Sequence, residues 1–254
     1  MQNAYRPGGW WNAIPPVTKN LIIINIIVWL AEVLVPGFSK TLVDRLGLHL
    51  IGSTLFFPFQ VITYMFMHDP SNIAHLLFNM FTLWMFGRIL EQVWGSSRFL
   101  LFYMVCGIGA ALVQEAVWAM TWQSEYIDGI ARLNGLTSDH MKQIVDAAVA
   151  SSDPGWMAAI DAFKSQMVTI GASGAVYGVL LGFGFTFPDM PLYLFFIPVP
   201  IKAKYMVIGY GVIEFLLGVS GTMSTVAHFA HLGGMLFGIV LLLYWKKKGL
   251  LHRF

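Results

Sequence analysis

Ser173 sits in a Gly171-Ala172-Ser173-Gly174 run, with Tyr177 one helical turn further on; His75 and Asn79 are four residues apart in a second apolar stretch, and His231 lies in a third. A serine hydroxyl attacks a carbonyl only when a base within hydrogen-bond reach takes its proton, and a neutral imidazole suits that work near pH 7. His231 is the candidate base for a Ser173 nucleophile. The oxyanion formed by attack needs preorganised donors. The unpaired N–H groups of a helix N-terminus around Ala172 and Ser173 could supply them, with His75 and Asn79 as side-chain donors and Gly171 and Gly174 keeping the approach open. No carboxylate falls at the depth of His231, so the expectation is a Ser173–His231 dyad, with Tyr177 stacking on the imidazole in place of an orienting acid.

Each signal also has a plainer reading. A His and an Asn one turn apart can serve as interhelical hydrogen-bonding partners, and Gly174, Gly178 and Gly182, spaced by four, form a close-packing stripe. His231 shares a helical face with Gly234 and Gly238, which puts the imidazole on another such stripe. The elements that carry these residues decide between the readings.

Of the 254 residues, 57% are hydrophobic and 11% charged, which places most of the chain in lipid. A net charge of +2 is too even and too sparse for a nucleic-acid partner. The single cysteine, Cys106, excludes an intramolecular disulfide and a cysteine-ligated metal cluster, and no metal or cofactor is expected. Six apolar segments read as membrane helices: Asn20 to Val35, Pro70 to Phe86, Phe99 to Trp122, Val168 to Phe187, Tyr205 to Val219 and Val226 to Trp245. Asp69 and Pro70 are read as the N-cap and first residue of the second. The chain divides into a segment 1–19, a membrane domain 20–245 and a basic tail 246–254.

With both ends cytoplasmic, ten of the 15 Lys and Arg residues, including Arg6 and Arg253, fall on the inner side, and only Lys40, Arg45, Arg132, Lys142 and Lys164 fall outside. An N-in, C-in chain results. The long outer loop 123–166 is expected to hold a capped amphipathic helix from Ser138 and a second from Trp156 to Met167, and Gly37 to Met67 reads as an interfacial stretch too interrupted to span. In this topology Ser173, His75 and His231 each lie roughly five residues past the outer ends of their helices, about 8 Å deep at 1.5 Å per residue. A nucleophile, its base and an oxyanion donor must share one layer, whereas unrelated packing residues need not.

With these motifs, the chain resembles a rhomboid intramembrane serine protease. The resemblance rests on Gly171-Ala172-Ser173-Gly174 with Tyr177, on His75-Leu76-Leu77-Phe78-Asn79, and on Ala230-His231-Leu232-Gly233-Gly234 with Gly238, and it extends to Gly87–Phe99 and Pro198–Lys204. It implies an all-α bundle of six transmembrane helices around an outward-opening wet cavity, with Ser173 as nucleophile, His231 as general base, and His75 and Asn79 in the oxyanion hole. It also implies transmembrane protein substrates, cleaved near the surface of the lipid bilayer at small residues in helix-breaking segments and without metal or ATP. The resemblance and the short N-terminus point to a bacterial inner membrane. The chain departs from many members in lacking a Trp-Arg pair in the first outer loop and in the length of its 123–166 loop.

Two rival functions remain open in the sequence: a catalytically silent rhomboid-like protein that binds membrane clients, and a transporter or haem protein using His68, His75, His228 and His231. His68 is expected near the outer surface and His228 one turn outside His231, both structural or hydrating, with His228 as the rival base. Glu115 and Glu214 are acids within spans. Glu214 is expected to be protonated or hydrogen-bonded across helices and outside the chemistry. Oligomeric state is not legible.

Overall fold

In lipid, backbone N–H and C=O groups must be paired within the chain, and helices do this segment by segment. The computed structural model describes residues 13–35, 37–193, 199–220 and 227–251, and its architecture is a helical bundle with two short strand pairs. Arg6 and residues 1–12 of the N-terminal segment, Pro198, Val226 and Arg253 lie outside the described residues.

Among the described residues, five helical stretches are long and apolar enough to cross a membrane. They are α1 (Pro16–Leu34); a composite of α4 (Ile73–Thr82), a π-helical Leu83–Gly87 and α5 (Arg88–Trp94); α6 (Ser96–Asn134); α10 (Ala203–Ser220); and α11 (His228–Lys247). A sixth, α9 (Ser173–Thr186), is apolar but has only 14 residues. Ile208, Ile213, Leu216 and Val219 on α10 stand more than half exposed, as apolar side chains do where lipid is the solvent. The protein is an integral, multi-pass membrane bundle.

Before α4 the chain forms α2 (Phe38–Leu46), a two-residue strand β1 (Leu48–His49), a short α3 (Gln60–Thr63) and a single 3₁₀ turn, Tyr64–Phe66. β1 pairs antiparallel with β2 (Val168–Thr169), with Leu48 opposite Thr169. The pairing ties this stretch to the approach to Ser173. A second small pair, β3 (Pro191–Leu192) with β4 (Ile201–Lys202), precedes α10.

Two helix starts differ from the sequence expectation. Asp69 does not cap the second span: its Oδ1 accepts from the Ser71 amide and hydroxyl in a local turn, and the helix opens at Ile73 after Asn72. The apolar run from Val168 begins as strand and coil, and helix forms only at Ser173. At 1.5 Å per residue α9 is about 21 Å long, short of a hydrocarbon core of roughly 30 Å. A helix of that length leaves at least one end within the layer, and free N–H groups there are tolerated only against protein or a wet cavity.

The third span also overruns its expected end. Its 39 residues continue from Trp122 to Asn134, where Gly135 at φ 65° closes the helix in the left-handed region. At about 58 Å it is nearly twice the hydrocarbon thickness, so its distal part must project. There Tyr126, Ile127 and Ala131 pack with Met141 and Val145 of α7 (Ser138–Ala150) and Ile160 of α8 (Pro154–Gln166) into a second small core. The 123–166 segment is thus three packed helices. Thr137, one residue before the expected cap, accepts from the His140 amide, and Asp153 caps α8 through the Trp156 amide.

Glycines set the contact of α9 with its neighbours. A Cβ on Gly234 would lie 1.9 Å from the Gly174 carbonyl oxygen, and one on Gly178 would lie 2.4 Å from Cys106 Sγ. α9 and α11 therefore touch backbone to backbone at Gly174 and Gly234. The main core fills out from this line through Phe99, Phe102, Tyr103 and Phe183, all essentially solvent-free.

Candidate active site

Ser173 is the first residue of α9, His75 the third of α4 and His231 the fourth of α11, so all three occupy first turns that open toward the same end of the bundle. Each residue thus lies nearer the start of its helix than the five residues read from the sequence, and coil, not helix, leads to Ser173. His231 Nε2 lies 2.8 Å from Ser173 Oγ. The His231 ring stacks on Tyr177 with centroids 4.2 Å apart and planes 7° from parallel. The close approach of Gly174 and Gly234 supports this geometry, because it brings the first turns of α9 and α11 within side-chain reach.

The expectation that no carboxylate shares this depth is overturned. Glu214 Oε2 lies 3.0 Å from His231 Nδ1, at ion-pair distance, although the N–H direction misses hydrogen-bond alignment. The same oxygen lies 2.6 Å from His228 Nδ1, and Tyr177 OH donates to Glu214 Oε1. Glu214 is thus hydrogen-bonded across helices, as the sequence reading anticipates, yet it sits beside the candidate base. His228 is buried against the carboxylate, and no hydrogen bond joins it to Ser173 among the described bonds. The missed signal was available: Glu214 lies six residues before the end of α10 at Ser220. That places it about 9 Å from the outer end of an antiparallel helix, level with the three motif residues.

His75 reaches the nucleophile's side through Gly171. This residue has φ +127°, a conformation that side chains rarely adopt, and a Cβ there would lie 2.8 Å from His75 Nε2 and 3.7 Å from Ser173 Oγ. The missing side chain leaves a space bordered by a hydroxyl and an imidazole. Asn79 is one turn further along α4; its Nδ2 donates to the His75 carbonyl at 2.9 Å and lies 3.3 Å from His68 Nε2. The structure therefore brings His75 to Ser173, while the Asn79 amide is engaged with His75 and His68. His68 is fully buried and tilted against the His75 ring, with centroids 5.0 Å apart. Burial, reinforced by His75, pushes its pKa down to about 3, which keeps the ring neutral.

The ligand atoms of Glu214, His228 and His231 lie within 4.8 Å of one another, a spacing an ion could bridge. Within this group a hydrogen bond already joins His228 to Glu214, and Tyr177 OH donates to the other carboxylate oxygen. Glu115, the other acid within a span, accepts from the Ile51 amide at 2.8 Å and fastens the β1 region to α6. It has no contact with Ser173 among the described bonds.

Comparison with known proteins matches the chain to the rhomboid domain family over residues 58–131 and 132–248. It is similar to "Rhomboid-like protein 11, chloroplastic" of Arabidopsis thaliana, 26% identical over 72% of this chain and 51% of that protein. It is also similar to "Rhomboid protein 1, mitochondrial" of Saccharomyces cerevisiae, 29% identical over 65% of this chain and 36% of that protein. The matched region thus spans about half of the first relative and about a third of the second.

Proposed function

The chain belongs to the rhomboid family, and on that premise we propose that it is an intramembrane serine endopeptidase using Ser173 as nucleophile and His231 as general base. The observation that carries the reading is the 2.8 Å contact between Ser173 Oγ and His231 Nε2, on a ring held flat against Tyr177. Nε2 accepts the hydroxyl proton as Oγ bonds to the scissile carbonyl carbon, whose π pair moves onto oxygen. His75 and the free amides of the first turn of α9 face that oxygen's side; Asn79 supports His75 from behind and completes the oxyanion hole when its amide turns inward. As the intermediate collapses, the C–N bond breaks and the leaving amine takes the proton from Nε2. Water then repeats the sequence on the acyl-enzyme, with His231 again as base, and regenerates Ser173.

Substrates are transmembrane protein segments. A peptide bond inside a stable helix is closed to attack, so a cleavable segment must first unwind, and the site lies where α9 itself ends within the layer. The chain adopts the N-in, C-in orientation in a bacterial inner membrane, with the site facing outward. The test is cleavage of a model transmembrane substrate in detergent or liposomes. Ser173→Ala and His231→Ala, each folded, lose turnover by roughly 10³-fold or more, while His228→Ala retains measurable cleavage. A Ser173→Ala protein that cleaves like wild type removes the mechanism, and a folded wild type inert toward all such substrates supports a client-binding role instead.

A further inference from the structure

The mechanism above leaves Glu214 without a task, although it is the buried acid nearest the base. We infer that Glu214 is a positioning residue for His231, so that this chain works with a Ser173–His231–Glu214 triad in place of a dyad; the inference rests on the protease reading.

The geometry addresses three sides of one ring. Nε2 faces Ser173 at 2.8 Å, Nδ1 faces Glu214 at 3.0 Å, and the ring plane lies on Tyr177. An imidazole has two side-chain torsions, and contacts on both nitrogens and one face leave it a single useful orientation. The carboxylate is itself held. Tyr177 donates to one oxygen and His228 Nδ1 lies 2.6 Å from the other, and Glu214, His228 and His231 are each 6–7% exposed. Tyr177 thus serves the site twice, by stacking on the base and by anchoring its acid.

The resting contact between Nδ1 and Glu214 is close but poorly aligned, as catalytic contacts often are before substrate binds. The proton bookkeeping shows when it matters. With the proton on Nδ1, Nε2 is free to accept from Ser173. After attack the ring carries protons on both nitrogens and a full positive charge 3.0 Å from the carboxylate. Glu214 takes up no proton at any step; it fixes the tautomer and stabilises the cation. In a site nearly closed to water that attraction is weakly screened. Because it reaches full strength only when the imidazolium exists, its loss must fall on kcat and leave KM in place.

The competing role is a latch. α10 buries only Ala203, Met206, Val207 and Glu214, so the carboxylate is the sole buried side chain of its second half. A latch residue alters stability or substrate binding and spares the chemical step. The experiment measures kcat, KM and melting temperature of wild type and Glu214→Gln on one transmembrane substrate, with fluorophosphonate labelling of Ser173 in parallel. The triad predicts a kcat lower by about 10²- to 10⁴-fold, with KM within about twofold of wild type. Should the glutamine variant fail to accumulate as folded protein, Glu214→Asp, which withdraws the carboxylate by one methylene, carries the test with a kcat loss of at least about tenfold. Wild-type kcat in the folded variant, or a change confined to KM or melting temperature, overturns the inference and leaves the protease reading standing. A wild-type chain that neither cleaves nor takes the label overturns both.

Discussion

Glu91 and Glu214 are both nearly solvent-free, and they sit at opposite ends of the bundle, since Trp94, three residues after Glu91 on α5, packs edge-on against Trp245 near the far end of α11. Their company differs. Glu91 accepts from the Val17 and Thr18 amides at 2.9 and 2.7 Å, from the Thr18 hydroxyl at 2.8 Å and from the Ser96 hydroxyl at 2.7 Å. It thereby satisfies free donors at the start of α1, where Pro16 already removes one, and places negative charge at a helix N-terminus. None of those donors changes charge near neutrality. Glu214 meets two imidazoles and a phenol, which are proton carriers. The lesson is that burial alone does not mark an acid as functional. The chemistry of its donors does.

The comparison can be broken at either end. The largest effect is expected from Gly234→Ala, whose new Cβ would fall 1.9 Å from the Gly174 carbonyl oxygen and force α9 away from α11. We expect about 3 kcal/mol of destabilisation and loss of turnover in the fraction that remains folded. A stable, fully active Gly234→Ala protein would show that the backbone contact does not set the distance between Ser173 and His231. Next comes Glu91→Gln, which keeps one carbonyl acceptor but loses the charge. It should lower stability by about 2 kcal/mol and leave the kcat of the folded enzyme unchanged. If its kcat fell as far as that of Glu214→Gln, the distinction between the two acids would collapse.

The smallest effect belongs to a third acid, Asp189, which lies exposed between Lys204 at 2.9 Å and Lys202 at 3.0 Å. Its hydrogen bond to Lys204, followed by that to Lys202, holds the carboxyl below the usual range. Stability from this pair is therefore fully present above the ordinary aspartate pKa and is lost as pH falls through the lower folded value. Solvent screening keeps it small. Asp189→Asn should melt with wild type at pH 7, and the two curves should stay together down to pH 5; a clear gap at pH 7 would give this exposed pair a weight that its surroundings do not.

Much of this arrangement was legible in the chain itself. Ser173, Tyr177 and His231 were marked by local motifs, and glycines spaced by four pointed to the close α9–α11 contact. Helix ends were less legible. Hydropathy reports where an apolar run stops, while α6 continues through Glu125 and Asp128 because Tyr126, Ile127 and Ala131 find a separate core and only Gly135 closes the helix. The start of α9 was hidden for the converse reason, since Val168 and Thr169 are apolar enough to extend the run but pair with β1. The cross-helix bonding of Glu214 was read, but its place beside His231 was not, because no motif surrounds it and its helix runs opposite to the others of the site. Asn79 shows the remaining limit: its place on the face of His75 follows from spacing, but its bonds to the His75 carbonyl and His68 depend on how His68 folds beneath.

The central claim is that Ser173 is activated by His231, and a serine-directed fluorophosphonate reads this without any known substrate. Wild-type protein in detergent should become covalently labelled, at a site that peptide mapping assigns to Ser173, with labelling abolished in Ser173→Ala and strongly slowed in His231→Ala. Equal labelling of wild type and folded Ser173→Ala, or no labelling of wild type at all, would contradict the account.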